Sequence, residues 1–357
     1  MTIGSAPWVS FAVSVAALLS WRLVAHALEL LDRPGGHKTH HGEIPVVGGL
    51  AMYTGFAVTV AMGMPWDHRI VALLGLTGFM VLLGAFDDRF NLRPGLRLAG
   101  HFAAAIGLVY ALHCELHHLG NLFGGQSIPL GLLALPFTTV GVVTLINGFN
   151  MLDGLDGLAG TAGLVGFIAL TYLAGAHHLA RPRALAELMA GAVAAFSIFN
   201  LPLPFNRPLR TFMGDAGSTL LGFFFAALAI EVTRAGPGRI SPVVILWLIP
   251  LPIIEVLTTT VRRIARGRSP IHADNGHAHH VLLRGGFSVR AIWLIYLFVS
   301  AACALFGVAA DDRGIAHPVL FIGFLGVMAA WVGFVANAPR VAAWLSALLR
   351  SDGRAST

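Results

Sequence analysis

Residues 128–176 read IPLGLLALPFTTVGVVTLINGFNMLDGLDGLAGTAGLVGFIALTYLAGA. Two apolar segments, 128–147 and 158–176, are joined by a polar connection. Each is about 20 residues long, which is the length that an α-helix needs to cross the hydrocarbon core of a bilayer. Asn147, Asn150, Asp153 and Asp156 recur at every third residue, so on a helix they would lie roughly on one side. The stretch therefore predicts two membrane-spanning helices with a polar group of side chains at one membrane face.

The composition of the whole chain indicates a membrane protein. Hydrophobic residues make up 56% of the 357 residues, charged residues make up only 11%, and the mean hydropathy is +0.77. Because a soluble domain carries about 25% charged residues, we predict an all-α polytopic integral membrane protein. The sequence pI of about 10.1 is also typical of nucleic-acid-binding proteins. In so apolar a chain it favours basic loops on one membrane side, and we expect no nucleic acid partner.

Apolar runs of roughly 17–25 residues predict the number of spans. They occur at about 7–31, 44–63, 69–86, 96–113, 128–147, 158–176, 184–203, 215–233, 240–261, 291–310 and 316–336. We therefore expect ten or eleven transmembrane helices, all within one domain that covers residues 1–357. The first run is a span and not a cleavable signal, because it is long and has no basic residues before it. An amphipathic segment at 341–350 is expected to lie on the membrane surface.

Basic residues are distributed unevenly between the two sides of the predicted bundle. Successive spans cross the membrane in opposite directions, so every second connection lies on the same face. One face then holds the C-terminus and the connections near 32–43, 87–97, 148–157, 204–214 and 262–290. That face holds sixteen basic residues: Arg33, Lys38, Arg89, Arg93, Arg97, Arg207, Arg210, Arg262, Arg263, Arg266, Arg268, Arg284, Arg290, Arg340, Arg350 and Arg354. The opposite face holds six: Arg69, Arg181, Arg183, Arg234, Arg239 and Arg313. The positive-inside rule makes the first face cytoplasmic and places the N-terminus outside, in the periplasm.

The polar motifs of the chain fall on this same face. They are DRPGGHKTHHGEIPVVGG (32–49), GAFDDRFNLRPGLRLAG (84–100), NGFNMLDGLDGLAG (147–160), FMGDAGS (212–218) and GRSPIHADNGHAHHVLLRGG (267–286). The corresponding loops are about 32–49, 84–100, 147–160, 204–218 and 262–290. The side of each loop was assigned by counting charges and not from any motif. Because all five motifs nevertheless fall on one side, they predict a single cytoplasmic site. A membrane scaffold without enzymatic activity would not require these motifs to share a side.

Three aspartates in these motifs have two interpretations each. Asp87 and Asp88 end the third predicted span, and adjacent carboxylates repel each other unless a cation or an arginine neutralises them. They indicate either a solvated helix end, paired with Arg89 or Arg93, or a metal or base site. Asp215 lies among glycines before an apolar run, which is typical of a helix N-cap. The same glycines also permit a phosphate to approach backbone N–H groups closely.

The histidines of the HAHH motif are His277, His279 and His280, and Arg268 and Arg284 flank them. Three histidines this close could bind zinc, but their spacing is awkward for one metal on a helix. Histidines among arginines suit an anionic ligand better, because they donate to phosphate oxygens. The alternative is a solvated basic loop.

Taken together, the five motifs resemble those of the polyprenyl-phosphate N-acetylhexosaminyl-1-phosphate transferases, the MraY/WecA-like glycosyltransferase family 4. They occur in the family's order, from about residue 32 to residue 286. The stretch HAHHVLLRGGF is similar to the WecA/TagO-type branch, which uses a simple UDP-N-acetylhexosamine. The peptidoglycan branch typically has three consecutive histidines followed by an acidic aromatic stretch. We therefore expect UDP-GlcNAc as the donor.

The resemblance implies that a polyprenyl phosphate attacks the β-phosphorus of a UDP-sugar and that UMP leaves. With undecaprenyl phosphate as acceptor, the product is a polyprenyl-pyrophosphoryl-sugar that initiates synthesis of a cell-surface polysaccharide, such as the O-antigen of lipopolysaccharide. One alternative is the phospho-MurNAc-pentapeptide transferase of peptidoglycan synthesis. An alternative of another class is a cation-coupled transporter, whose carboxylates would lie near the middle of the membrane.

The resemblance also implies roles for individual residues. Mg²⁺, with Mn²⁺ as the alternative ion, is expected on Asn150 and Asp215. The expected catalytic residues are Asp87, Asp88, Asp153 and Asp215, the expected uracil contacts are Asp156 and Phe212, and the expected phosphate contacts are Lys38, Arg268, His277, His279 and His280. Direct attack by the lipid phosphate is favoured over a covalent aspartyl intermediate. The enzyme is expected in the bacterial inner membrane with its active site on the cytoplasmic face. The lipid tail is expected in a groove between helices, and a homodimer is compatible with this arrangement.

Overall fold

The structure is a computed structural model, and it describes residues 6–32, 42–203, 209–234, 240–269 and 276–344. The helices within these residues are α1 (Ala6–Val24), α2 (Gly48–Gly63), α3 (His68–Phe90), α4 (Pro94–Leu112), α5 (Ala134–Leu152), α6 (Leu158–Ala176), α7 (Ala180–Asn200), α8 (Gly214–Arg234), α9 (Pro242–Leu248), α10 (Pro250–Ala265), α11 (Ala278–Arg284), α12 (Val289–Asp312) and α13 (His317–Ala336). Two short antiparallel strands, β1 (Leu31–Asp32) and β2 (Ile44–Pro45), pair with each other. A 3₁₀ turn, Gly131–Leu133, precedes α5.

The lengths and apolar character of the helices agree with a membrane protein. In the described part of the chain, nine helices are long and apolar enough to cross a bilayer, and α9 with α10 makes a tenth if this bent pair is one span. Helix α2 is also apolar but has only 16 residues. These elements follow the predicted apolar runs in chain order. The prediction of an all-α polytopic membrane protein is therefore confirmed, while the exact number of spans and their orientation stay predictions.

The predicted span at 240–261 is not one straight helix. It is divided at Ile249, and α9 and α10 are bent relative to each other by 94°. Pro250 and Pro252 explain the break, because proline has no N–H to donate and disfavours helical backbone at the residue before it. Ile249 accordingly has an extended φ of −137°. The bend turns α10 towards α5, where a Cβ on Gly148 would overlap the Pro252 carbonyl.

The polar connection that joins α5 to α6 is shorter than predicted. Because α5 extends to Leu152, Asn147 and Asn150 lie in its last turns and not in a loop. Gly157 precedes α6 with a φ of 82°, a left-handed conformation that favours glycine. Its N–H donates to Oδ1 of the buried Asn200 at 2.8 Å, and Asn200 Nδ2 donates to the Thr211 carbonyl at 3.0 Å. Asn200 therefore ties the connection to the segment before α8.

Helix α8 forms the centre of the bundle. It is the most deeply buried of the spanning helices, and Phe223, Phe224 and Phe225 are fully buried. Its first turn approaches two other helices so closely that only glycine fits. A Cβ on Gly49 of α2 would overlap the Gly217 backbone, and a Cβ on Gly84 of α3 would overlap the Ala216 backbone. These approaches bring the end of α3 against the beginning of α8.

Candidate active site

Acidic side chains meet at the end of the bundle where α3 and α5 end and α8 begins. Asp87 and Asp88 lie in the last turn of α3, Asn150 lies near the end of α5, and Asp215 lies in the first turn of α8. Arg97, from the first turn of α4, reaches the same place. We call these five residues the acidic cluster. The predicted motifs at 84–100, 147–160 and 212–218 therefore meet in space.

The two predicted metal ligands are in direct contact. Asn150 Nδ2 donates to Asp215 Oδ1 at 2.5 Å, and it also lies 3.1 Å from Ser218 Oγ. The nitrogen and oxygen of an asparagine amide exchange places by a simple flip, so this geometry allows both residues to present an oxygen to one cation. Within the described residues, no group of three or more His, Cys, Asp and Glu side chains could hold a metal ion. Two protein ligands nevertheless fit Mg²⁺, which usually binds one or two carboxylates and completes its shell with waters and phosphates.

Asp88 fixes the beginning of α8. Its Oδ1 accepts the Asp215 N–H at 2.8 Å and its Oδ2 accepts the Ala216 N–H at 3.2 Å. These are two of the N–H groups that a helix leaves without internal partners at its N-terminus. Gly214, with a φ of 71°, lies against the Asp88 carboxylate. The capping carboxylate of α8 therefore comes from α3, and Asp215 is not the N-cap residue that the sequence allowed.

Arg97 forms ion pairs with the other two aspartates of the cluster. It donates to Asp87 Oδ2 at 2.7 Å and to Asp215 Oδ2 at 3.3 Å. Asp87, which is only 4% exposed, also accepts the Leu92 N–H at 2.8 Å. Of the two sequence interpretations for Asp87, the pairing with an arginine is present, but the partner is Arg97 and not Arg89 or Arg93. Arg97 had been counted only as a basic loop residue.

Asp153 follows α5 and faces the acidic cluster. Burial, together with the nearby carboxylates of Asp215 and Asp88, raises the pKa of Asp153 well above its usual range. A group whose charge is opposed in this way gains from a cation or a proton donor. The next residue, Gly154, lies directly against the ring of His279, since a Cβ there would overlap His279 Nε2. This contact joins the acidic cluster to the histidine motif.

The three histidines form a compact group around α11. The ring centroids of His279 and His280 are 4.3 Å apart, and those of His277 and His279 are 5.7 Å apart. Burial lowers the pKa of His279 to about 3, and burial with the neighbouring His277 lowers the pKa of His280. His279 is 1% exposed, and neither of its ring nitrogens has a hydrogen-bond partner in the described residues. At neutral pH, His279 is therefore an uncharged ring with open hydrogen-bonding positions.

Glu255 of α10 holds the beginning of this group. Its side chain is buried, Oε1 lies 2.9 Å from His277 Nδ1, and the same oxygen accepts the Ala278 N–H at 3.2 Å. Because a carboxylate accepts hydrogen bonds, it keeps the proton on Nδ1 and directs Nε2 away from α10. Glu255 lies within the predicted span at 240–261, and sequence analysis gave it no role.

The two predicted uracil contacts are linked by an arginine. Arg210 forms an ion pair with Asp156, and its guanidinium lies over the Phe212 ring with Cζ 5.0 Å from the centroid. Arg210 also had been counted only as a basic loop residue. Asp156 and Phe212 are thus close enough to act on one ligand.

Two predicted phosphate contacts are not brought into the site by the described structure. Arg268 is exposed and lies just before the described chain is interrupted. Lys38 lies outside the described residues, as does most of the predicted surface segment at 341–350. Their roles stay predictions.

An apolar groove lies beside α5, α8 and the bent pair α9–α10. Leu145, Ile230, Ile249 and Ile253 are among its lining residues. Leu145 and Asn150 are five residues apart on α5, which corresponds to about 7.5 Å along a helix. On α8 the lining runs from Ala226 to Thr233, so the groove extends from the end of the bundle where α8 ends to the level of Leu145.

The fold and the site define a multi-pass membrane protein in which an acidic cluster and a histidine group share one region. The chain belongs to glycosyl transferase family 4. The model of that family matches residues 70–233, which include Asp87, Asp88, Asn150 and Asp215.

The curated relatives extend the similarity over most of the chain. The undecaprenyl-phosphate alpha-N-acetylglucosaminyl 1-phosphate transferase of Haemophilus influenzae is 32% identical over 97% of this chain and 98% of its own length. The Pasteurella multocida protein of the same name is 31% identical over 97% of each chain. The Escherichia coli K12 protein of that name is 31% identical over 81% of this chain and 79% of its own.

Proposed function

We propose that the protein transfers N-acetylglucosamine 1-phosphate from UDP-GlcNAc to undecaprenyl phosphate. The products are undecaprenyl-pyrophosphoryl-GlcNAc and UMP. The names of the relatives support this reaction, and the direct contact between Asn150 and Asp215 is the observation that carries it. Two polyanionic substrates can meet only where their charge is neutralised, and a cation held by these two oxygens would do this at the end of the bundle.

The reaction is a phosphoryl transfer between two phosphates. An oxygen of the lipid phosphate attacks the β-phosphorus of UDP-GlcNAc. The bond from that phosphorus to the bridging oxygen breaks, and UMP leaves with the oxygen and its electron pair. A phosphate monoester has a second pKa of about 6, so at neutral pH the lipid phosphate is already a nucleophile. Direct attack therefore needs no covalent aspartyl intermediate.

The acidic residues and Asn150 would have different roles in this reaction. Asn150 and Asp215 would hold Mg²⁺ or Mn²⁺, which when bound spreads the negative charge of the phosphates. Asp88 keeps Asp215 in place through the first turn of α8. Asp87 holds Arg97, whose guanidinium is also directed at Asp215. Asp153, whose pKa is raised by burial and by nearby carboxylates, would orient the lipid phosphate through a shared proton.

The donor is held by the groups around this cluster. Phe212 would stack on the uracil and Asp156 would accept a hydrogen bond from it. His277, His279 and His280 would donate to the diphosphate, together with Arg268 and Lys38. For the neutral His279, one N–H is available for a phosphate oxygen.

The acceptor lipid enters from the membrane. Its chain would lie in the apolar groove, because hydrocarbon is the only abundant component of the bilayer interior that can fill such a space. Carboxylates at helix ends, and not near mid-membrane, argue against a cation-coupled transporter. Eleven spans with the N-terminus outside would place the acidic cluster at the cytoplasmic face of the bacterial inner membrane. A homodimer is compatible with this arrangement.

The test is an assay of purified full-length protein with radiolabelled UDP-GlcNAc, undecaprenyl phosphate and Mg²⁺. We expect lipid-linked radiolabel and UMP in equal amounts, and no product from UDP-MurNAc-pentapeptide. Removal of divalent ions with EDTA should lower turnover more than about a hundredfold, because a metal ion supplies several kcal/mol of charge stabilisation. Mg²⁺ or Mn²⁺ should restore it. Turnover with the pentapeptide donor alone, or undiminished turnover in EDTA, would contradict the proposal.

Gly84→Ala tests whether the close approach of α3 and α8 serves this reaction. The added Cβ would overlap the Ala216 backbone, so the two helices must separate and carry Asp88 away from Asp215. A displacement of about 1 Å can lower a rate by about a hundredfold, and we expect a loss of this order. Gly75→Ala is the matched control, because a Cβ at this position of α3 meets no atom within 4 Å. Equal turnover in the two variants would show that the helix contact is not needed.

A further inference from the structure

Arg22, near the end of α1, contacts a distant part of the chain. Its Nη1 donates to the carbonyls of Leu209 and Arg210, each at 2.8 Å, and to Thr211 Oγ1 at 2.7 Å. The three acceptors share the two hydrogens of this nitrogen. Hydrogen bonds from a charged donor are stronger than those between neutral groups. Arg22 therefore ties α1 to residues 209–211, which precede α8.

The backbone that follows this segment is held by other groups. The Phe212 N–H donates to the Pro45 carbonyl at 2.9 Å, and the Phe212 carbonyl accepts the Gly48 N–H at 3.0 Å. These two contacts come from β2 and from the start of α2. Loss of the Arg22 side chain should therefore displace the backbone of Arg210 without displacing the beginning of α8.

Arg210 is the residue of the segment that reaches the proposed donor site. Its guanidinium forms an ion pair with Asp156 and lies over the Phe212 ring. Because Arg210 contacts both side chains, a shift of its backbone would move the Asp156 carboxylate relative to the Phe212 ring. The Arg22 contacts are thus one step removed from the two side chains that are proposed to bind uracil.

We propose that Arg22 is a positioning residue for the uridine end of the donor. Through Arg210 it holds Asp156 and Phe212 in the arrangement that binds uracil, and it touches neither substrate itself. Helix α1 packs against α2 and α7 and supplies no residue of the acidic cluster, so this effect should be confined to nucleotide binding. The role of Arg22 rests on the proposed function, in which Asp156 and Phe212 contact the uracil of UDP-GlcNAc.

Calorimetric titration of the purified full-length protein with UMP and Mg²⁺, combined with steady-state kinetics, tests this role. We expect Arg22→Met to weaken UMP binding about tenfold, as for the loss of hydrogen bonds from a charged donor. The KM for UDP-GlcNAc should rise by a similar factor. The kcat at saturating donor, the KM for undecaprenyl phosphate and the Mg²⁺ concentration for half-maximal turnover should stay within about twofold. A raised KM with an unchanged kcat is the signature of lost substrate binding, and a general loss of structure would not produce it.

Arg22→Lys keeps the positive charge but replaces the planar guanidinium with a compact ammonium, so UMP binding should weaken by only about threefold. Arg340→Met is the matched control, because Arg340 is exposed after α13 and donates to Asn337. It should leave the affinity for UMP unchanged.

Two results would overturn the role of Arg22. One is an unchanged affinity for UMP in Arg22→Met, or in Arg22→Lys if the methionine variant does not fold. The other is a fall in kcat with an unchanged KM for UDP-GlcNAc. An unmodified protein that binds no UMP would instead contradict the proposed function, so the two failures can be told apart.

Discussion

Asp215→Asn is expected to lower turnover by at least about a thousandfold while leaving the protein folded. The substitution is nearly isosteric, and the N–H of residue 215 can still donate to Asp88. What is lost is the negative charge that faces Asn150 and Arg97. Removing one preorganised electrostatic contact to a transition state costs about 10²–10³ in rate, and the weakened binding of a divalent ion adds to this loss.

The measurement is steady-state turnover at saturating Mg²⁺, with thermal unfolding as the check on folding. Asp312→Asn is the control, because Asp312 ends α12 and accepts a hydrogen bond from Tyr172 far from the acidic cluster. Its turnover should stay within about twofold of the unmodified protein, as for most exposed sites away from special features. Turnover of the Asp215→Asn protein at a tenth or more of the normal rate would remove Asp215 from the site.

Glu255→Ala is expected to lower turnover by about a hundredfold, although Glu255 would touch neither substrate. Without its carboxylate, His277 loses the acceptor of Nδ1 and the Ala278 N–H at the start of α11 loses its partner. Misplacement of a binding group by about 1 Å is sufficient for a loss of this size. Because the histidines are proposed to hold the donor phosphates, the KM for UDP-GlcNAc should rise.

Glu255→Gln separates positioning from simple loss of stability. Glutamine keeps an oxygen that can accept the Ala278 N–H, so this variant should recover part of the lost turnover. Glu187→Ala is the control, because Glu187 pairs with Arg183 one turn earlier near the start of α7 and makes none of the contacts that hold the histidines. If both Glu255 variants kept a normal KM for the donor, Glu255 would not position the histidines.

Hydropathy, which is a local property of the chain, was sufficient to predict most of the helices. The apolar runs before and after NGFNMLDGLDGLAG correspond to α5 and α6. The errors lie where another local signal competed with hydropathy. Pro250 and Pro252 break the run at 240–261, and they could have been read as a break. The end of α5 was predicted at residue 147, whereas the helix continues to Leu152 and includes Asn150.

The residues that sequence reasoning missed make contacts between distant parts of the chain. Arg97 donates to Asp215, which lies 118 positions later in the chain. Asp88 accepts the Asp215 N–H across a separation of 127 positions. Nothing near Arg97 distinguishes it from the other arginines of a basic loop. Arg210 differs only in lying two residues before Phe212, which was a weak signal for its contact with that ring.

The sequence alone was sufficient to predict a membrane protein built from spanning helices. It also predicted that the five motifs share one side, and it carried the family resemblance. These depend on hydrophobicity, charge and residue order, which can be read along the chain. The tertiary structure decided that Asn150 touches Asp215, that Asp88 caps α8 and that Glu255 holds His277. Such contacts depend on the rotation and separation of packed helices. Close approaches such as that of Gly84 to Ala216 determine the rotation and separation of the helices. No local sequence pattern predicts these approaches.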